Sequence, residues 1–197
     1  MRRMLMVIAL LALASGPAQA TEFKVKPGGD NKVVFTSHAT VESFQGKTKQ
    51  MSGSIVVDPK AVSDSITVHL EVDLASLDTG IPRRNQHMRV NHLETATYPK
   101  AVFDGASVLG PAGAKLAAGA PVAFDCEGPF SLHGVSRRIH IQVAATYAAK
   151  PGAGSIRFQT TFPVALADYK IERPQFLFLK LADTQEVKVT GLAVAAN

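Results

Sequence analysis

The residues best suited to chemistry cluster between Ile81 and His92, where a guanidinium, an amide and two imidazoles (Arg84, Asn85, His87 and His92) share one short stretch. At about 100° per residue, Ile81, Arg84, Asn85, Met88 and His92 fall on one side of a helix, so its most apolar stripe is also polar. A face meant only for a core would not carry Arg84, because a buried unpaired charge costs several kcal/mol. Two readings follow. Arg84 pairs with Asp78 or Glu94 and pins the helix, or the helix closes a cavity and Arg84, Asn85 and His87 orient the polar or anionic head of an apolar ligand, with Met88 beside them.

Other chemistry finds little support. The histidines at 38, 69, 87, 92, 133 and 140 lack the spacing of a metal site, and His87 and His92, five apart, fall on different faces of an α-helix. His133 and His140 flank one hairpin, where only a weak surface metal is conceivable. Ser131 precedes His133 by two residues, yet no Gly-x-Ser-x-Gly elbow and no orienting acid accompany them. No catalytic residue and no metal ligand is therefore expected, and no cofactor is required. The enzymatic alternative is His87 acting as acid or base on a lipid or quinone. Cys126 alternates with Val122, Phe124 and Phe130 on one side, against Asp125, Glu127 and Ser131 on the other, and reads as a small inward hydrophobe. As a lone cysteine it forms no internal disulfide.

The elements that must position these residues are mostly strands. Pro82 suits the first turn of a helix over about Ile81 to His92, with Thr79 or Gly80 at its cap. Strands are predicted over Lys32–Val41, Thr48–Asp58, Ser65–Leu74, Lys100–Leu109, Val122–Leu132, Ile139–Ala144, Ser155–Val164 and Glu186–Val194. Residues 42–46 read as a turn, and Phe176, Phe178 and Leu179 as a short helix or plug. Eight strands, one helix between the third and fourth, and turn signals between most neighbours favour a closed antiparallel barrel or a sandwich. No βαβ rhythm, internal repeat or phosphate-binding glycine loop occurs.

Pattern alone does not separate a hollow barrel from a filled one. The absence of Trp, 7% aromatics, and slim inward positions at Ala101, Gly105, Cys126, Gly128 and Ala145 favour a hollow. The interior would then be lined by Phe35, Ile66, Val68, Leu70, Phe103, Phe124, Phe130, Phe158 and Phe162 and would hold an apolar tail, at about 0.8 kcal/mol per buried methylene. The alternative is that the phenylalanines fill the centre, leaving a β-structure that binds a protein partner.

Met1–Ala20 has the three parts of a secretory signal: Arg2 and Arg3, an apolar run from Met4 to Ala14, and Ala18-Gln19-Ala20 for cleavage. Cleavage after Ala20 leaves 177 of 197 residues as one periplasmic domain and lowers the net charge from +5 to +3. Scattered basic residues at so mild a charge give no support for nucleic-acid binding.

SLDTGI, then Arg84-Asn85-Gln86-His87-Met88, then LET-x-x-YP-x-x-x-F, resembles the helix and following strand of the YceI-like family, whose motif reads Arg-Asp-x-His-Leu/Met before Tyr-Pro. Phe130 to Ser136 resembles that family's Leu-Thr-Leu-His-Gly-Val-Thr hairpin, and Ile171 to Val189 its closing strand region. Asn85 stands where many members carry aspartate, so an ion pair through that carboxylate does not carry over. The resemblance implies an all-β, eight-stranded, antiparallel lipocalin-like barrel holding a polyisoprenoid, quinone, prenyl pyrophosphate or other fatty amphiphile. Transient membrane contact and a homodimer are compatible with it. An ordinary lipocalin is disfavoured, because no Gly-x-Trp begins the first strand.

Overall fold

In the computed structural model, residues 20–38, 43–59, 62, 66–105, 107–109, 115–116, 119–149, 154–176 and 179–196 are described. The strands are β1 (Thr21–Val25), β2 (Lys32–His38), β3 (Ser43–Thr48), β4 (Met51–Val57), β5 (Ile66–Asp73), β6 (Lys100–Gly105), β7 (Ser107–Leu109), β8 (Pro121–Leu132), β9 (Val135–Ala148), β10 (Ser155–Ala165), β11 (Gln175–Phe176), β12 (Leu179–Lys180) and β13 (Thr184–Ala195). Among the described residues there is one α-helix, α1 (Pro82–His87), which continues into a π-helical turn over Met88–His92.

Antiparallel pairing runs β1-β4-β5-β6-β8-β9-β10-β13, and β13 returns to β1 through Phe23↔Ala195 and Val25↔Ala193. The same strand β13 pairs lower down with β2, and β2 with β3. β1 with β2, and β3 with β4, are thus two staves, each broken once, and the barrel closes on eight. α1 lies between β5 and β6, the third and fourth staves in chain order.

Two of these segments escape a reading of pattern. β1 is short and half polar, and β3 (SFQGKT) has the composition of a turn rather than a strand. Tertiary pairing overrides the weak propensity: Gly46 stands opposite Phe35, whose ring covers the space a side chain there would need. The predicted strand over Thr48–Asp58 is interrupted after Thr48, where the Thr48 hydroxyl accepts from the Gln50 amide at 2.9 Å. Gln175–Phe176 and Leu179–Lys180 pair as a two-residue ladder, β11 with β12, and are not helical. The leader up to residue 19, Val41 and Phe178 lie outside the described residues.

Inward side chains form two apolar clusters. The larger occupies the barrel and includes Phe23, Met51, Ile55, Phe124, Cys126, Phe158 and Ala193. The second sits at the helix end, where Leu74, Leu77, Phe130, Leu132, Tyr169 and Ile171 are buried and Met88 and Leu93 pack against them. The turn from β8 to β9 is made by His133 and Gly134 with φ of 50° and 71°, the left-handed pair that a two-residue hairpin requires.

The break between β1 and β2 is held by Asn31, only 3% exposed. Its amide donates to the Lys26 carbonyl at 2.6 Å, and its oxygen accepts from the Leu192 amide at 3.0 Å, joining the bend to β13. Asn31→Ala leaves both backbone groups without that partner, so denaturant unfolding should show a loss of about 1–3 kcal/mol.

Candidate functional site

Inside the barrel lies a partly open cavity of about 100 Å³ whose wall is apolar almost throughout. Among the described lining residues Thr160 alone has a hydroxyl, and it donates to the Gln142 carbonyl at 2.7 Å. Cys126 also faces the cavity, and burial pushes its thiol pKa up to about 11. A dry space with its polar atoms already committed suits hydrocarbon and rejects water.

Of the residues predicted to line this space, Ile66, Val68, Leu70, Phe103, Phe124, Phe130, Phe158 and Phe162 do so. The phenylalanines narrow the cavity without filling it, because several rings lie against glycines: a Cβ at Gly191 would overlap the Phe158 ring, and one at Gly105 the Phe103 ring. Met51, Val57, Ile141, Val143 and Ile156 line it as well. Strand alternation could have found Ile156, which shares a face of β10 with Phe158, whereas β4 and β9 carried no predicted lining residue from which to extend.

Phe35, Arg84, Asn85, His87 and Met88 are not in the cavity wall. Phe35 and Met88 pack on the second cluster, which shares Ala101 and Phe130 with the wall, so the helical segment stoppers the barrel directly over the cavity's end. Arg84 does not pair with Asp78 or Glu94. Its Nε donates to Thr79 Oγ1 at 2.9 Å and an Nη to the Thr79 carbonyl at 2.8 Å, while the guanidinium lies 4.1 Å from the centre of the Phe44 ring. Two neutral oxygens and an aromatic face thus satisfy a half-buried cation, without an ion pair. Arg89 supports the same loop by donating to the Leu77 carbonyl at 2.9 Å.

Asn85 is the centre of this lock. Its oxygen accepts from the Thr79 amide at 2.8 Å and the Thr79 hydroxyl at 2.6 Å, and its NH2 donates to Asp78 Oδ1 at 2.7 Å. The Gly80 amide, ahead of the Asn85 contact, holds the Asp78 carboxyl below its ordinary pKa. Thr79 therefore serves Asn85 and Arg84, and Ile81 stands at the helix cap with no side-chain hydrogen bond. Ile81 itself is 49% exposed and does not share the buried face.

Around the stopper, His92 Nδ1 meets the Glu172 carbonyl at 3.1 Å, and His133 Nδ1 the Tyr169 carbonyl at 3.0 Å. Carbonyls only accept, so both Nδ1 atoms carry hydrogen. His133 also packs on Tyr98, with ring centres 4.6 Å apart. His87 is exposed, yet its ring lies 5.0 Å from that of His92. The expectation that they diverge fails because residues 88–92 wind as a π turn, closed by the Leu93 amide donating to the Met88 carbonyl.

The YceI-like domain model matches residues 23–193. The chain belongs to the YceI-like family. Among solved structures, the family barrel is similar to a polyisoprenoid binding domain from Saccharophagus degradans implicated in plant cell wall breakdown, at 22% identity and a TM-score of 0.66, over 90% of this chain and 100% of that one. It is also similar to Burkholderia cenocepacia BcnA (20% identity, TM-score 0.63, 84% and 96% covered) and to a Campylobacter jejuni YceI protein (17% identity, TM-score 0.64, 81% and 89% covered). None of the curated proteins matches this sequence.

Two substitutions test this geometry. Gly191→Ala should drive the Phe158 ring and the Met51 methyl inward, lowering stability by about 1–3 kcal/mol and shrinking the cavity in a crystal structure of the variant. Asn85→Asp, which installs the residue many YceI-like proteins carry, would here set a second carboxylate against Asp78. The new carboxyl's folded pKa is thereby raised, so its penalty is absent below about pH 3.9, grows as pH rises to that folded pKa, and is full above it. Urea unfolding of variant and parent at pH 4 and pH 7 should show the gap widening at pH 7, to roughly 1–3 kcal/mol.

Proposed function

We propose that this YceI-like protein is a non-enzymatic carrier, exported to the periplasm by its leader, which holds the tail of an isoprenoid or other long-chain amphiphile inside the barrel. The observation that carries this reading is the apolar cavity inside the barrel, whose described lining residues offer no uncommitted hydroxyl. A cavity of about 150 Å³ takes one benzene, so 100 Å³ accepts about four methylene-sized groups. At about 0.8 kcal/mol each, their burial contributes on the order of 3 kcal/mol, weaker than millimolar affinity. A longer polyisoprenoid needs the phenylalanines to turn aside. The polyisoprenoid binding named for the Saccharophagus domain supports the ligand class.

Catalysis in the same space has no acid or base to use. Among the lining residues only Cys126 titrates, and a thiol pKa of about 11 leaves it protonated at neutral pH. His87, the candidate acid or base, is exposed and outside the wall. Loading from a bilayer would require transient membrane contact, whereas a homodimer is not needed to complete the cavity.

Native mass spectrometry of the mature protein purified from periplasm should show a bound amphiphile. After delipidation, the protein should take up a prenyl lipid or fatty acid and release less of it to water than Gly191→Ala does. Recovery free of any amphiphile, with no uptake by the delipidated protein, sinks the carrier reading.

A further inference from the structure

The π turn does more than extend the stopper. In an α-helix, residues five apart diverge, but a turn built on i to i+5 hydrogen bonding winds wider and draws them together, and here the His87 and His92 rings meet edge to face. π turns recur at functional sites in helices. Two imidazoles bound to one tetrahedral ion, with metal–nitrogen bonds of about 2.1 Å, stand about 5 Å apart between ring centres, and these rings stand 5.0 Å apart.

His92 is also prepared as a ligand. Its Nδ1 hydrogen goes to the Glu172 carbonyl, so the lone pair belongs to Nε2, and that atom is buried with no hydrogen-bond partner. A backbone carbonyl on the far nitrogen is the arrangement by which proteins orient metal-binding histidines and set their tautomer. His87 is exposed and its ring meets that of His92 with centres 5.0 Å apart.

We propose that His87 and His92 form a binding site for a first-row divalent cation, with water at the remaining coordination positions. Among the described residues no cluster of three or more histidine, cysteine or carboxylate ligands exists, so the ion is exchangeable rather than caged. Imidazole pairs favour Cu2+ over Ni2+ and Zn2+. The Glu172 carboxylate adds a negative neighbour for a cation. Bound there, the ion would tie the two ends of the π turn together over the barrel's end. This site is independent of whether the cavity holds a lipid.

The test uses the mature chain without an affinity tag, titrated with CuCl2 at pH 7. Electron paramagnetic resonance at one equivalent should show two imidazole nitrogens on the copper, and the melting temperature should rise. His87→Ala, at an exposed position with no structural hydrogen bond, should weaken that first equivalent at least about 10-fold and remove the rise in melting temperature. His140→Ala, at another exposed histidine far along β9, should change neither. Equal copper affinity in parent and His87→Ala, or a spectrum with a single nitrogen ligand in the parent, overturns the proposal.

Discussion

A barrel wall that must pack tightly and yet leave its axis open faces a steric conflict, and here that conflict is met by setting phenylalanine rings against glycines. Phe158 lies over Gly191, Phe103 over Gly105 and Phe35 over Gly46, each in space a side chain would otherwise take. Rings laid along the wall keep their contacts there, and among the lining phenylalanines Phe130 and Phe162 meet edge to face with centres 5.7 Å apart. At about 24 cal/mol per Å³, an empty cavity of 100 Å³ costs on the order of 2 kcal/mol. That cost is small enough for a folded domain to bear, and a hydrocarbon that enters regains the lost dispersion contacts.

The open axis must then be closed at an end, and closure has two layers. Next to the cavity lies the second apolar cluster, reaching from Phe130 to Tyr169 and Ile171. Outside it lies the polar lock in which Arg84 donates to Thr79, Thr79 to Asn85, and Asn85 to Asp78. Each hydroxyl and amide in that chain gives and accepts in turn, so the bonds polarise one another. The lock fixes the helix without placing any charge in the cavity.

The stopper is joined to the neighbouring segment only through a few directed contacts. His92 and His133 reach the carbonyls of Glu172 and Tyr169, and the hydrophobic contacts of Met88 and Leu93 do the rest. Exposed Val90, on the same turn, adds nothing to this docking. Such sparse attachment belongs to the part of a fold that opens at low free energy.

Alternation and breaker residues in the sequence were enough to determine the strand-rich architecture, the placing of the helix, and the inward face that holds Val68, Phe124 and Cys126. Those follow from local periodicity and need no knowledge of partners. The broken staves and the strand character of Ser43–Thr48 were decided by pairing across the barrel, since Gly46 is a strand residue only because Phe35 lies opposite. Tertiary structure alone also separated Arg84, Asn85 and His87 from the cavity, because a helix stripe states which residues share a side and not what that side meets. It likewise joined His87 to His92, for a sequence read at 100° per residue has no term for a turn that winds wider.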